Sequence, residues 1–164
     1  QRSISRNKHM RIVAVSGGFD PIHSGHLAML RQAAALGDRL VVGVNSDAWL
    51  TRKKGKPFMN IDERRAILLA IKWVDSVWDF DDSDGTACDF LHKVRSYYEL
   101  KANDFVFANG GDRNETNNAE ANVEGWRFIY GIGGSDKKNS SSDILRSWNE
   151  SSSGDTDNRS RDTK

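Results

Sequence analysis

The sequence has a single cysteine, no excess of either charge and no long apolar run. Cys88 alone cannot close an internal disulfide and has no cysteine neighbours with which to hold zinc, so a reducing, cytoplasmic setting is expected. With 24 basic against 23 acidic side chains the formal charge is +1, which supplies no global field towards nucleic acid or a membrane surface. No segment reaches the roughly 20 apolar residues that span a bilayer. The first residues also lack the apolar core of a signal peptide. There is no internal repeat, no P-loop and no Gly-x-Gly-x-x-Gly, and the last of these absences argues against a dinucleotide-dependent reductase.

What is present suits one α/β domain: 164 residues, of which 37% are apolar. Residues 1–9 are polar and basic and are set aside as a disordered extension; the domain is expected over 10–148 and a disordered polar tail over 149–164. Ile12-Val13-Ala14-Val15 reads as a buried strand and 27–36 as a helix ending at Gly37. Leu40 to Val44 is a second strand, and Asn45-Ser46-Asp47 suits the cap of a short helix. Residues 51–57 hold four cations in a segment punctuated by glycine and proline and should form a loop. A helix capped by Asn60 or Asp62 follows, with Ile67, Leu68, Ile71 and Val74 on its apolar face. Further strands are expected at 74–80, 104–108 and 126–132, a helix at about 87–97, and a short helix capped by a serine after 140. Strands alternating with helices predict a Rossmann-like, doubly wound parallel sheet of five strands with helices on both faces. Ligands of such sheets bind beyond the carboxyl ends of the strands, where the turns after the first, fourth and fifth strands would meet.

The turn after the first strand is Ser16-Gly17-Gly18-Phe19-Asp20-Pro21-Ile22-His23-Ser24-Gly25-His26. A glycine turn from a buried strand into a helix presents backbone N–H groups and a positive dipole end to an anion. His23 and His26 there can donate to phosphate oxygens without the cost of a buried fixed charge, and Gly25 lets a ligand approach the backbone. Zinc is disfavoured because no third ligand accompanies the pair. Arg64 and Arg65 at a helix start oppose that helix's dipole and need another reason to be there.

The ordered set Gly-Gly-Phe-Asp-Pro-Ile-His23-Ser-Gly-His26, Leu36 to Asp47, the lysine segment, Asp62-Glu63-Arg64, Gly110-Gly111-Asp112 and Ser140-Ser141-Ser142 resembles the cytidylyltransferase-like nucleotidyltransferases over residues 10–148. Its features are nearest the branches that make ADP-heptose and CDP-glycerol. The resemblance implies transfer of a nucleotidyl group from CTP or ATP to a small phosphorylated metabolite, with release of pyrophosphate and with Mg²⁺ held mainly by the triphosphate rather than by protein ligands. It implies catalytic roles for His23, His26, Lys53 and Arg64, with Lys54 and Lys56 competing for the role of Lys53. It also implies nucleotide contacts from Gly18, Phe19, Asp20, Gly25, Gly111, Asp112, Arg113, Ser140, Ser141 and Ser142, and a homodimer with neither nucleic acid nor membrane as partner. One departure stands out: the arginine that precedes the serines in the cytidylyltransferases is missing, and Lys137 or Lys138 is left to replace it. The competing expectation is a catalytically silent, nucleotide-binding regulatory module of the same fold.

Overall fold

The computed structural model describes residues 9–110, 116–133 and 140–153. In chain order the elements are β1 (Arg11–Gly17), α1 (Ser24–Ala34), β2 (Arg39–Val44), α2 (Asp47–Lys54), α3 (Ile61–Leu69), β3 (Ser76–Asp79), α4 (Cys88–Tyr98), β4 (Asp104–Gly110), β5 (Arg127–Ile132) and α5 (Ser141–Ser153). Among the described residues the five strands form one parallel sheet in the order β3-β2-β1-β4-β5. The expected α/β class is therefore present. Its order reverses beside β1, and that reversal opens a crevice at the carboxyl ends of β1 and β4.

The apolar strand residues alternate between two cores. Ile12, Ala14, Val41, Phe105 and Phe107 face Phe90, Leu91 and Val94 of α4. Val13, Val15, Val42, Val44 and Val106 face Leu30 and Ala33 of α1 and Leu68 of α3. A strand buried on both sides has no polar face, which explains the uninterrupted Ile-Val-Ala-Val and Leu-Val-Val runs. Gly43 interrupts the second run for a steric reason. A Cβ there would meet the Phe90 ring at 2.7 Å, so α4 could not sit as close to the sheet.

Four expectations are corrected. The cationic segment is not a loop throughout, because α2 continues through Lys54. Ser46 caps α2, its Oγ accepting from Trp49 N–H at 3.0 Å, and Arg52, Lys53 and Lys54 occupy the last turn, where a helix dipole favours cations. Gly55, at φ 93°, ends α2. The fourth strand does not give way to a turn at Asn109, since β4 extends to Gly110, which pairs with Ile132 across an irregular register. The third helix stops at Leu69; Ile71 and Val74 reach the core from the turn that follows. Finally, the polar tail does not begin at 149. α5 carries on to Ser153, and the hydroxyls of Ser151 and Ser152 donate to the carbonyls of Ser147 and Trp148 one turn back, inside the helix rather than to a tail.

Candidate active site

The two histidines are first of all a helix cap. His23 is the N-cap of α1, its Nδ1 accepting from Gly25 N–H at 3.1 Å. His26, three residues on, returns the bond: its Nδ1 accepts from His23 N–H at 3.2 Å. This is the reciprocal capping box usually made by Ser or Thr with Glu, here built from two imidazoles. The chemical consequence lies on the opposite edge of each ring. With Nδ1 committed as an acceptor, the proton of a neutral imidazole resides on Nε2, so both rings present an Nε2–H donor. The rings lie 3.8 Å apart, and Phe19 packs 4.9 Å from His26. Phe19 is buried and held at φ 52°, a left-handed conformation that a bulky residue rarely adopts and that the surrounding packing must enforce.

Burial, reinforced by the neighbouring His23, lowers the pKa of His26 from 6.5 to about 4. His26 is thus neutral at pH 7 and acts as a donor, not as a cation. Because the unfolded chain takes up this proton near pH 6.5 and the folded chain only near pH 4, the contribution of His26 to stability is complete above pH 6.5. It is lost as the pH falls from there through about 4. The Cε1 proton of His26 in an NMR titration should move with a midpoint near pH 4. A midpoint near 6.5 would contradict this account.

Around this cap the sequence-predicted residues divide in two. Asp20 is buried, and its carboxylate accepts from Phe58 N–H at 2.7 Å and Met59 N–H at 2.6 Å. Lys54 donates to the Asp20 carbonyl at 2.6 Å and pairs with its carboxylate at 2.7 Å. Together these contacts clamp the segment after α2 onto the histidine turn. Arg64 is 1% exposed and donates to four partners: Met59 O (2.9 Å), Gly18 O (3.0 Å), Asn45 O (2.6 Å) and Asp47 Oδ1 (2.7 Å). These bonds join the turns after β1 and β2 and supply the reason for a cation at this helix start. Asp20, Lys54 and Arg64 are therefore framework groups in this structure.

The other group remains at the surface. Lys53 is exposed and lies 4.8 Å from the centre of the Trp49 ring, while Lys56 is exposed beyond α2. Gly18 is packed against Leu50, where a Cβ would come within 3.0 Å. Gly25 lies in the first turn of α1. At the far end of the chain Ser140 Oγ accepts from Asp143 N–H at 3.1 Å and caps α5. Ser141 Oγ donates to Pro21 O at 2.8 Å, bringing the first turn of α5 against the loop that enters α1. Ser142 is exposed one residue further on. Gly133 N–H donates to Gln32 Oε1 at 2.9 Å, which fixes the end of β5 on α1. Two helix starts thus converge with the paired imidazoles, a constellation suited to phosphate oxygens. Gly111, Asp112, Arg113, Lys137 and Lys138 lie outside the described residues.

Three structural groups were missed by the sequence reading. Asp82 is buried, and its carboxylate holds Asn45 Nδ2, Ser46 N–H and Ser46 Oγ at 2.7–3.0 Å, setting the start of α2. Glu120, also buried, caps α4 by accepting from Ala87 N–H at 2.8 Å. Trp49 touches both the Gly18 turn and Lys53. Asp82 lies within the acidic, turn-forming run 79–85, the one local signal that could have found it, whereas no local pattern singles out Glu120 or Trp49.

Comparison with known proteins decides the family. The model described as cytidylyltransferase-like matches residues 14–145, most of the chain. The chain belongs to the cytidylyltransferase-like family. It is a nucleotidyltransferase by that membership. A relative named bifunctional protein HldE, from Pseudomonas aeruginosa, is 42% identical over 97 residues, covering 58% of this chain and 20% of that protein. The protein of the same name from Hahella chejuensis is 36% identical over 127 residues, covering 76% of this chain and 23% of its own length. The chain therefore spans about a fifth to a quarter of these curated relatives. A crystal structure of a lipopolysaccharide core biosynthesis protein from Thermoplasma volcanium superposes with a TM-score of 0.59 at 27% identity, covering 77% of this chain and 99% of that one. A structure from Vibrio parahaemolyticus described as a nicotinate-nucleotide adenylyltransferase shares the fold, with a TM-score of 0.57 at 17% identity, covering 87% of this chain and 88% of that one. Among the described residues no helix is long and apolar enough to cross a membrane.

Proposed function

We propose that this chain transfers the nucleoside monophosphate of ATP or CTP to a small phosphorylated metabolite, a sugar or polyol phosphate, and releases pyrophosphate. The observation that carries the reading is the imidazole capping box: it engages both Nδ1 atoms as acceptors, so two Nε2–H donors stand at a helix start. In the proposed reaction a phosphate oxygen of the metabolite attacks the α-phosphorus in line, a new P–O bond forms, and the bond to the β-phosphate bridging oxygen breaks. No covalent enzyme intermediate is needed, because a phosphate monoester is already a nucleophile. His26, with His23 beside it, donates to the oxygens on which charge accumulates as pyrophosphate leaves. Lys53 holds the metabolite phosphate against the α-phosphate, which offsets their repulsion. Ser140 to Ser142 receive the outer phosphates through hydroxyls and N–H groups. Gly18, Phe19 and Gly25 shape the floor of the turn, with Gly111, Asp112 and Arg113 assigned to the base and ribose.

Mg²⁺ fits as an ion carried by the triphosphate. Among the described residues no three His, Cys, Asp or Glu side chains converge, and the carboxylates of Asp20 and Asp82 are already engaged by N–H donors. When bound, the ion would neutralise phosphate charge.

The proposed catalytic unit is the domain from residue 10 through α5, working as a homodimer, and sedimentation measures that assembly. A matrix of nucleoside triphosphates against sugar, polyol, amino-alcohol and pantetheine phosphates, read as pyrophosphate, tests the chemistry. Release with one sugar or polyol phosphate is expected, and tight triphosphate binding with no release for any pair would favour the silent module. With the productive pair, Lys53→Ala should raise KM for the acceptor by roughly tenfold, the size of one charge-assisted hydrogen bond. Unchanged kinetics would move the role to Lys56.

A further inference from the structure

Lysine is a poor choice for a bridge that must hold still, because its ammonium sits on a four-carbon stem with many rotamers. The surroundings of Lys53 restrict it. Trp49 precedes Lys53 by one helical turn, the spacing at which side chains on one face meet, and the ammonium lies 4.8 Å from the indole centre. The indole is itself seated. A Cβ at Gly18 would lie 3.5 Å from its Cζ3 atom, so the edge of the ring lies beside the histidine turn. The N–H of Trp49 bonds to Ser46 Oγ, and Ser46 is gripped by buried Asp82 at 2.7 Å. A continuous path of fixed groups therefore runs from the end of β2 to the Lys53 ammonium, and the same ring contacts the turn that carries the histidines.

We infer that Trp49 is a positioning residue, holding the Lys53 ammonium at a set distance from the histidine turn so that a phosphorylated ligand is gripped between them. The inference rests on the role given to Lys53 under the proposed function. A side chain at Gly18 would press on Leu50, whose Cδ2 lies 3.0 Å from a Cβ placed there, while the indole at 3.5 Å would be in ordinary contact.

The test uses the full chain with its lysines reductively ¹³C-methylated, a change that keeps their charge, and with Lys53→Arg to assign the Lys53 signal. In the unsubstituted protein the Lys53 methyl resonance should lie upfield of the other lysines through the indole ring current and move as inorganic phosphate is added. Trp49→Leu should abolish the upfield shift and raise the phosphate midpoint about three- to fivefold, the size of one exposed cation–π contact. Trp49→Phe should restore most of both, and circular dichroism of each variant checks that α2 is intact. If Trp49→Leu is unfolded, Trp49→Phe and Trp49→Gln carry the comparison. An unchanged phosphate midpoint in a folded Trp49→Leu or Trp49→Gln protein overturns the inference while leaving Lys53 as a phosphate ligand. A Lys53 signal that phosphate does not move in the unsubstituted protein overturns both.

Discussion

Replacing His26 with glutamine should lower turnover by about 10²–10³ while leaving thermal stability within a degree or two, because the two duties of this side chain can be separated. A glutamine at the third helical position reaches back to the N-cap N–H, as the imidazole Nδ1 now does at 3.2 Å, so the start of α1 keeps its box. What it lacks is an Nε2–H fixed on a rigid ring, and the loss of one preorganised donor to developing charge has about that effect on rate. His26→Ala should lose the same factor in turnover and in addition about 1 kcal/mol of stability, from the missing cap. Single-turnover rates and melting temperatures of both variants provide the comparison. If the glutamine variant turns over normally, His26 is a cap and nothing more.

The largest loss of stability should come from Arg64. Arg64→Met removes four donors at once and leaves the carbonyl oxygens of Gly18, Asn45 and Met59 facing one another in a region that water does not reach. Unsatisfied buried acceptors of this kind cost about 1–3 kcal/mol each, so the three together cost about 3–5 kcal/mol, while the partly exposed Asp47 carboxylate returns to water. Arg64→Lys should recover little, since an ammonium cannot span acceptors that the planar guanidinium fork reaches together. Urea midpoints at constant slope measure this directly. A surface arginine that served only to bind phosphate would behave in the opposite way, with unchanged midpoints and a raised KM.

Elements whose causes are local were legible in the sequence. The buried runs of β1 and β2 announced a parallel sheet, the glycine turn announced the start of α1, and the serines announced the cap of α5. The end of α2 was misread because Gly55 and Pro57 suggested a loop, while the fit of three cations to a helix C-terminus carried less weight. Arg64 illustrates the harder case. Its position at a helix start was noticed as unfavourable, yet its partners lie on the turns after β1 and β2, the α2 start and the segment before α3, and no periodicity encodes that meeting. Asp20 is similar: the family resemblance made it a ligand contact, while the structure has its carboxylate engaged by two backbone N–H groups and Lys54. Glu120 caps a helix 33 residues earlier in the chain, a distance over which local reading has no purchase.

The bond from Ser141 to Pro21 joins positions 120 residues apart. Closing a loop of that length costs chain entropy, which the packed sheet between the two positions offsets by holding both ends at one edge. The corner where α1 and α5 meet therefore depends on the sheet more than the sheet depends on it. On the phosphate-binding role proposed for Ser140 to Ser142, a substitution in the first turn of α5 should weaken anion binding while sparing the sheet, which places the gain and loss of activity largely outside the selection that maintains the sheet.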